Sequence, residues 1–188
     1  MNQCMLGQIE ENLEDEEEEK ECQQMDLSIF SARGLTQPNT MKLQGEVKER
    51  LVLVLIDSGA SHNFIYVELV SQLGLLVEST SSCNARLGDG HKKRVSGCCQ
   101  GVKVKLGNYM FEETFFLFGL GGVDVILGVA WLLTLGDVKV NWKTLTMNFC
   151  INGQQVQIRG DPKLSRTLVT SKTLKKEKDI KAVSLIGE

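Results

Sequence analysis

The residues best suited to take part in a chemical reaction are Asp57, Ser58 and Gly59. They directly follow an unbroken apolar run from Leu51 to Ile56. This run is rich in branched residues, a pattern that predicts a strand buried on both faces. An ionised carboxylate is costly to bury unless hydrogen bonds or a paired charge compensate it. The placement of Asp57 therefore predicts an acid with a chemical role.

One buried carboxyl group is half of a catalytic arrangement. Hydrolysis of a peptide without a metal requires one group that takes a proton from water and another that gives a proton to the carbonyl. Two adjacent carboxyl groups that share one proton perform both steps. Because the chain contains one Asp-Ser-Gly motif, the second carboxyl group would come from an identical chain across a two-fold axis.

The residues that follow Asp57 suit this chemistry. The Ser58 hydroxyl can donate and accept hydrogen bonds, so it can brace the same loop of a partner chain. Gly59 permits a tight turn that brings its N–H close to a carboxylate oxygen. Ala60 and Ser61 are expected to form the wall of a substrate site, where Ser61 offers a further hydrogen-bond donor.

A hairpin is predicted from two strands, 83–87 and 92–98, joined by a glycine-rich turn. The Asp89-Gly90 pair in this turn is a strong signal for a tight reversal of the chain. A flexible polar tip between two strands can close over a bound peptide. The hairpin residues expected to contact substrate are Leu87, Gly88, Asp89 and Gly90.

The rest of the central region predicts an all-β fold with two short helices. Strands recur about every eight to twelve residues, the spacing of a small barrel or sandwich. The other predicted strands are 41–47, 51–56, 102–106, 110–118, 123–127, 138–142, 145–149 and 155–158. Asn63 is predicted to cap the first helix, Gly74 to end it, and the second helix to span 129–135.

A partial copy of the Asp57 region lies later in the chain. The stretch from Asp124 to Gly128, with Ile126 and Leu127 near its centre, is an apolar strand that runs into a glycine and a short helix. Here the acid precedes the strand instead of following it. We therefore interpret Asp124 as a hydrogen-bonded structural acid, with a second catalytic acid as the alternative.

Charge patterning divides the 188-residue chain into three parts. Residues 1–39 contain an almost entirely acidic run, which repels itself and predicts a disordered linker. Residues 40–160 form the predicted ordered domain, and residues 161–188 form a basic linker. The net charge of −3 reflects cancellation between the two tails. No aromatic residues interleave the C-terminal lysines, so no direct nucleic-acid binding is expected.

Other kinds of site are disfavoured. The six cysteines and two histidines match no zinc-ligand spacing, so neither a metal nor a cofactor is expected. The longest apolar run falls short of the roughly 20 residues that span a bilayer, and no secretory signal is visible. Free thiols and a cytoplasmic location, without a membrane partner, are expected. A serine hydrolase built on Ser58 and His62 is disfavoured because no Gly-x-Ser-x-Gly elbow surrounds the serine.

Two stretches together resemble a known family. Val54 to Ile65 is similar to the active-site segment of retropepsin-like aspartic proteases from plant gypsy-class LTR retrotransposons. Gly121 to Leu132 resembles the second signature of that family, and Val138 to Phe149 resembles the strands that follow it. The resemblance extends from about Thr40 to Ile158. Two signatures in the expected order make it more specific than Asp-Ser-Gly alone.

The resemblance implies a small closed β-barrel that dimerises as retroviral proteases do, with Asp57 catalytic and residues 86–93 in a flap. The implied substrate is an extended peptide of a Gag-Pol polyprotein, processed inside the cell without a cofactor, with virus-like particles as one setting. Ser58 stands where viral proteases commonly have threonine, and Ser61 where they often have an acid. The resemblance assigns no role to His62. A non-catalytic dimerisation or peptide-binding module from a decayed or domesticated element is the alternative.

Overall fold

The computed structural model describes residues 24–37, 40–80 and 83–164. In this part of the chain the α-helices and β-strands are, in order, β1 (Met25–Leu27), α1 (Ile29–Ala32), β2 (Thr40–Val47), β3 (Arg50–Asp57), β4 (Phe64–Tyr66), α2 (Val67–Leu73), β5 (Asn84–Leu87), β6 (Lys92–Arg94), β7 (Cys98–Leu106), β8 (Tyr109–Phe118), β9 (Val125–Leu127), α3 (Val129–Leu132), β10 (Val138–Asn141), β11 (Thr146–Ile151) and β12 (Gln154–Arg159). Single 3-10 turns lie at Leu133–Leu135 and Pro162–Leu164.

Six strands close into a barrel in the order β2-β3-β9-β4-β8-β7, which confirms the predicted closed all-β fold. The long apolar run lies in β3, between antiparallel β2 and parallel β9. Because β3 has a strand on each side and packing on both faces, its sequence shows no polar alternation. Asp57 is the last residue of β3, so the closed barrel fixes the position of its carboxyl group.

Two apolar clusters stabilise this arrangement. The larger cluster fills the barrel and includes Trp131, which is fully buried and packs edge-on against Phe149 with ring centroids 6.4 Å apart. The second cluster lies on the other side of β3 and includes Leu55, Phe64 and Ile126. Together the clusters hold the end of β3 from both faces.

Two three-stranded sheets flank the barrel. Strands β10, β11 and β12 form an antiparallel meander. In the other sheet, β5 is central, with β6 antiparallel on one side and β1 parallel on the other. The β5–β6 hairpin (84–94) is the predicted flap and is called the flap hairpin below. Its turn lies at 88–90 as predicted, and its strands are shorter than predicted.

The helix prediction after Asn63 was wrong in its first turn. Residues Phe64 to Tyr66 form β4, which pairs in parallel with β8, and the helix begins only at Val67. The apolar spacing fits a helical period, but the fully buried Phe64 fills a strand position that closes the barrel. Gly74 ends the helix in the left-handed conformation, with a φ of 55°, as predicted.

Ordered structure begins before the predicted boundary at residue 40. Strand β1 and helix α1 lie in residues 24–37 and pack against the barrel and the flap hairpin. Met25 and Leu27 are each 1% exposed. This short stretch, in which apolar and polar residues alternate, is ordered because β1 pairs with β5. The rest of the two predicted linkers, residues 1–23, 38–39 and 165–188, lies outside the described residues.

Candidate active site

The Asp57 carboxyl group is held at the end of β3, and the residue is only 2% exposed. Its Oδ1 accepts the backbone N–H of Gly59 at 2.8 Å, the contact that a glycine at this position predicts. Its Oδ2 accepts the hydroxyl of Ser31 at 2.5 Å. The turn buries Asp57 and Ala60 while leaving Ser58 and Gly59 exposed. The turn thus exposes Ser58 and Gly59 to solvent while hydrogen bonds hold the Asp57 carboxyl group in place.

The second signature forms the strand beside β3. Ile126 and Leu127 are completely buried in β9. Asp124 precedes this strand, and its Oδ2 accepts the backbone N–H of Leu53 at 2.7 Å. The carboxyl group therefore joins β3 to the start of β9, which supports the structural interpretation of Asp124.

Gly128 brings the end of the second signature against the Asp57 loop. A Cβ at this position would lie 2.3 Å from the carbonyl oxygen of His62 and 2.5 Å from that of Ala60. The Gly128 N–H donates to Asn63 Oδ1 at 3.1 Å, and the Val129 N–H donates to the Ala60 carbonyl at 2.7 Å. The two signatures are thus one structural unit, which explains why a glycine follows the apolar pair.

Asn63 is predicted to cap a helix, but in the structure its side chain forms different hydrogen bonds. Its Oδ1 receives the Gly128 N–H, and its Nδ2 lies 3.4 Å from the carbonyl oxygen of Thr114. Asn63 is 1% exposed, so its polar atoms need such partners. It is a supporting residue of the site that the periodicity of the sequence did not reveal.

Ser61 links the Asp57 loop to the first strand. Its N–H donates to the Asp26 carbonyl at 2.9 Å, and its Oγ accepts the Asp26 N–H at 2.8 Å. The same Oγ lies 2.8 Å from His62 Nδ1. Burial lowers the pKa of the His62 imidazole, an effect that the nearby Asp26 carboxylate opposes. His62 therefore has a structural contact with Ser61, a role that the sequence did not indicate.

The flap hairpin and the Asp57 loop border one cleft of about 590 Å³. Leu87, Gly88, Gly90 and Gly59 line it, so the structure brings these predicted residues together. Ala60 is buried beneath the loop, and the Ser61 N–H donates to the carbonyl of Asp26, a residue that also lines the cleft.

Asp89 occupies the exposed tip of the flap hairpin. Its Oδ1 accepts the His91 N–H at 3.0 Å, and this bond lowers the pKa of the Asp89 carboxyl group. The contact closes the turn, so in this structure Asp89 shapes the hairpin tip.

Residues 24–37 (the N-terminal segment), which the sequence did not predict to be ordered, lie between the flap hairpin and the Asp57 loop and border the open part of the cleft from within. Strand β1 pairs in parallel with β5, with Leu27 opposite Leu87, and the Gly88 N–H donates to the Leu27 carbonyl at 3.1 Å. Ser31 in α1 reaches Asp57. The only sequence signal was an apolar alternation too short to distinguish from the acidic tail.

Among residues 24–37, 40–80 and 83–164, no group of three or more His, Cys, Asp or Glu side chains is placed to hold a metal ion. No helix within those same ranges is long and apolar enough to cross a membrane.

Comparisons with known proteins agree on the fold. A family model described as the PEG10/RTL1 protease domain matches residues 53–156, whereas no curated protein sequence matches the chain significantly. The retroviral protease-like domain of Ddi1 from Leishmania major is 17% identical, with a TM-score of 0.52 over 66% of this chain and 95% of that chain.

Two further solved structures are similar at lower scores. The EIAV protease complexed with the inhibitor HBY-793 is 17% identical, with a TM-score of 0.43 over 53% of this chain and 91% of that chain. A retropepsin-like aspartic protease from Rickettsia conorii is 17% identical, with a TM-score of 0.41 over 57% of this chain and 80% of that chain.

The family match spans more than half of the chain and includes both signatures together with the flap hairpin. The likeness to the Ddi1 domain independently supports the closed barrel. The chain therefore belongs to the PEG10/RTL1 protease domain family and has a retropepsin-like fold.

Proposed function

We propose that this protein is an aspartic endopeptidase that acts as a homodimer, in which each chain supplies one Asp57. The observation that carries the proposal is the buried Asp57 carboxyl group, oriented by the Gly59 N–H in a turn that Gly128 supports from below. Through Gly59, the loop that carries the acid borders a cleft of about 590 Å³ whose opposite wall is the flap hairpin. Family membership and fold support the same class of reaction.

The proposed reaction requires water and two carboxyl groups. One carboxylate takes a proton from water as the water oxygen bonds to the peptide carbonyl carbon, while the other, protonated, gives its proton to the carbonyl oxygen. The C–N bond of the resulting tetrahedral intermediate then breaks, and a proton passes to the leaving nitrogen. The Gly59 N–H orients the Asp57 carboxyl group throughout.

The face around Ser58 supports the dimer. An apolar cavity of about 290 Å³ lies beside Ser58, with Val129, Leu133 and Trp142 among its lining residues. Leu133 is 77% exposed and Trp142 is 43% exposed. Exposed apolar side chains around the outward-facing residues of a half-site are suited to burial in a two-fold interface.

The test is cleavage of a mixed peptide library at mildly acidic to neutral pH, with products identified by mass spectrometry after long incubation. Asp57→Asn is the matched variant, because the amide oxygen still accepts the Gly59 N–H but the side chain cannot share a proton. The chain should release products that a pepstatin-type inhibitor suppresses. Asp57→Asn should fold normally and release at least about 100-fold less. Equal cleavage by both, or none by the unaltered chain, contradicts the proposal.

A second candidate is a peptide-binding module without turnover. The observation that favours it is that the cleft already holds an extended piece of this chain by strand addition to β5. It predicts a folded dimer that binds extended peptides and leaves them intact. Peptide products in the same mass-spectrometric assay would exclude it.

The biological setting is a further part of the proposal and rests on the sequence resemblance. We assign the chain to the processing of a Gag-Pol polyprotein of a plant gypsy-class element, in the cytoplasm. The reading frame of the gene should then continue into a polymerase, and a fluorescent fusion should be found in the cytoplasm. A frame that ends after the domain favours a domesticated element instead.

A further inference from the structure

The N-terminal segment occupies the place where the proposed function requires a peptide substrate. It contributes no strand to the barrel, which is closed by β2, β3, β4, β7, β8 and β9. Its strand β1 instead takes the edge of β5 that β6 leaves open. An open strand edge is a template for an extended peptide, so the segment is bound in the manner of a ligand.

The backbone of the segment is hydrogen-bonded from both walls of the cleft. On the flap side, the Gly88 N–H donates to the Leu27 carbonyl at 3.1 Å. On the opposite side, Ser61 exchanges two hydrogen bonds with the backbone of Asp26, at 2.9 Å and 2.8 Å. Backbone contacts of this kind recognise an extended chain whatever its side chains are.

The side chains of β1 alternate between two environments. Met25 and Leu27 are each 1% exposed and enter the second apolar cluster. Asp26 points the other way and pairs with Arg86, with its Oδ1 2.8 Å from Nε. The cleft therefore selects apolar side chains two residues apart and tolerates a polar residue between them.

Beyond β1 the segment folds over Asp57 without presenting a peptide bond for cleavage. The completely buried Ser31 donates its hydroxyl to Asp57 Oδ2. The backbone here is a helical turn, in which the carbonyls of Ile29 and Ser31 accept the N–H groups of Arg33 and Gly34. The group that meets the catalytic acid is thus a hydroxyl, and the neighbouring carbonyls are already engaged.

The end of the segment is also docked specifically. The Gly34 carbonyl accepts from Lys42 Nζ at 2.5 Å, and the Ala32 carbonyl accepts the Gly121 N–H at 2.7 Å. Gly34 has a φ of 64°, and a Cβ there would lie 2.3 Å from the Gly121 carbonyl oxygen. This fit requires glycine at position 34, so the segment is held at Ala32 and Gly34 as well as at β1.

We propose that residues 25–32 are a built-in pseudosubstrate, and that the same cleft binds in trans extended peptides with apolar side chains two residues apart, in the register of Met25 and Leu27. Its effect on cleavage rests on the proposed function, but peptide binding does not require an active Asp57. The chain would then cleave only while the segment is released.

The size of the effect follows from tethering. A short tether gives an effective concentration on the order of 1 mM. A segment with an intrinsic dissociation constant of about 0.1 mM would then be bound in about nine molecules of ten, and would weaken a competing peptide about tenfold.

A reversible lock tests the proposal in one folded protein. Asp26 and Arg86 are partners in the parallel β1–β5 pair, and adjacent strands lie about 4.8 Å apart, a separation that a disulfide can span. The variant carries Asp26→Cys and Arg86→Cys in the full chain, and the 26–86 bond is verified by mass spectrometry. The probe is a fluorescein-labelled peptide with the sequence of residues 24–32, and its binding is followed by anisotropy.

The reduced lock should bind the probe at least about tenfold more tightly than the oxidised lock. Asp26→Cys alone, taken through the same redox cycle, is the control and should show no redox difference. A probe with aspartate in place of both apolar residues should bind neither form. Equal affinity of the oxidised and reduced locks, absence of binding to either, or tight binding of the altered probe overturns the proposal.

The same two forms separate this inference from the proposed function. If both hold, the reduced lock cleaves the peptide library about tenfold faster than the oxidised lock. A difference in probe binding without any cleavage contradicts the proposed endopeptidase activity and still supports the pseudosubstrate proposal. Equal cleavage by the oxidised and reduced locks contradicts the pseudosubstrate proposal and still supports the proposed endopeptidase activity.

Discussion

Replacing Gly128 with alanine tests whether the second signature holds the Asp57 loop in place. The added Cβ would lie 2.3 Å from the His62 carbonyl oxygen and 2.5 Å from the Ala60 carbonyl oxygen. Real Cβ atoms essentially never approach closer than 3.0 Å, so the gap must widen by about 0.7 Å, the difference between 3.0 and 2.3 Å. The residues that must move are the ones that follow Asp57.

Two magnitudes follow from that displacement. Overpacking of this kind costs about 1–3 kcal/mol of folding free energy, which corresponds to a fall of roughly 3–10 °C in Tm for a domain of this size. A catalytic group misplaced by about 1 Å loses activity by a factor on the order of 100. Gly128→Ala should therefore lower kcat by more than its loss of stability explains.

The matched control is Gly119→Ala, because Gly119 has no neighbouring atom within 4 Å of an added Cβ and no positive φ. Thermal melts and peptide cleavage well below Tm are measured for both variants and the unaltered chain. Gly119→Ala should match the unaltered chain in both measurements. If Gly128→Ala does so too, the account of the second signature as a support for the Asp57 loop is wrong.

Three further predictions concern the acid of the second signature, the histidine beside the site and the proposed dimer face. Asp124→Ala should lower the free energy of unfolding by about 1–3 kcal/mol, because the partly buried Leu53 N–H loses its hydrogen bond to a carboxylate; a large loss of kcat without a loss of stability would instead make Asp124 a catalytic acid. The pKa of His62 is lowered in the folded state from 6.5, so the unfolded state binds more protons and stability should fall as the pH drops below about 6.5. His62→Gln should show a smaller fall in Tm between pH 7.5 and pH 5.5 than the unaltered chain, and an equal fall would contradict the assignment. Leu133→Asp should raise the dimer dissociation constant at least tenfold in sedimentation, which corresponds to about 1.4 kcal/mol of binding free energy. The control is Leu76→Asp, because Leu76 is 88% exposed but lies outside the apolar cavity beside Ser58, so this variant should dimerise normally. Equal dimerisation of both variants would refute the proposed dimer face.

The barrel and the position of the acid could be predicted because their signals are local and strong. The run from Leu51 to Ile56 is apolar without interruption, and burial of its second half on both faces requires that composition there. Asp57 and Gly59 follow it in one short motif. The role of Gly128 could be anticipated as part of a signature, but its cause, a close approach to the Ala60 carbonyl, required the structure.

The N-terminal segment could not be predicted because its structure depends on partners far away in sequence. Three residues of strand have no stability alone, and β1 exists because Met25 and Leu27 find the second apolar cluster and the edge of β5. The error at Phe64 has a similar origin. Its apolar residues have a helical spacing, but the pairing of β4 with β8 that closes the barrel places Phe64 in a strand. In both places tertiary packing overrides the local pattern.

The central claim is that Asp57 carries out peptide hydrolysis as half of a paired site. The most direct test is the comparison of the unaltered chain with Asp57→Asn in the peptide-library assay, with melting curves and sedimentation to verify equal folding and assembly. We expect products from the unaltered chain and at least about 100-fold less from the variant. Equal product formation by two equally folded dimers would contradict it.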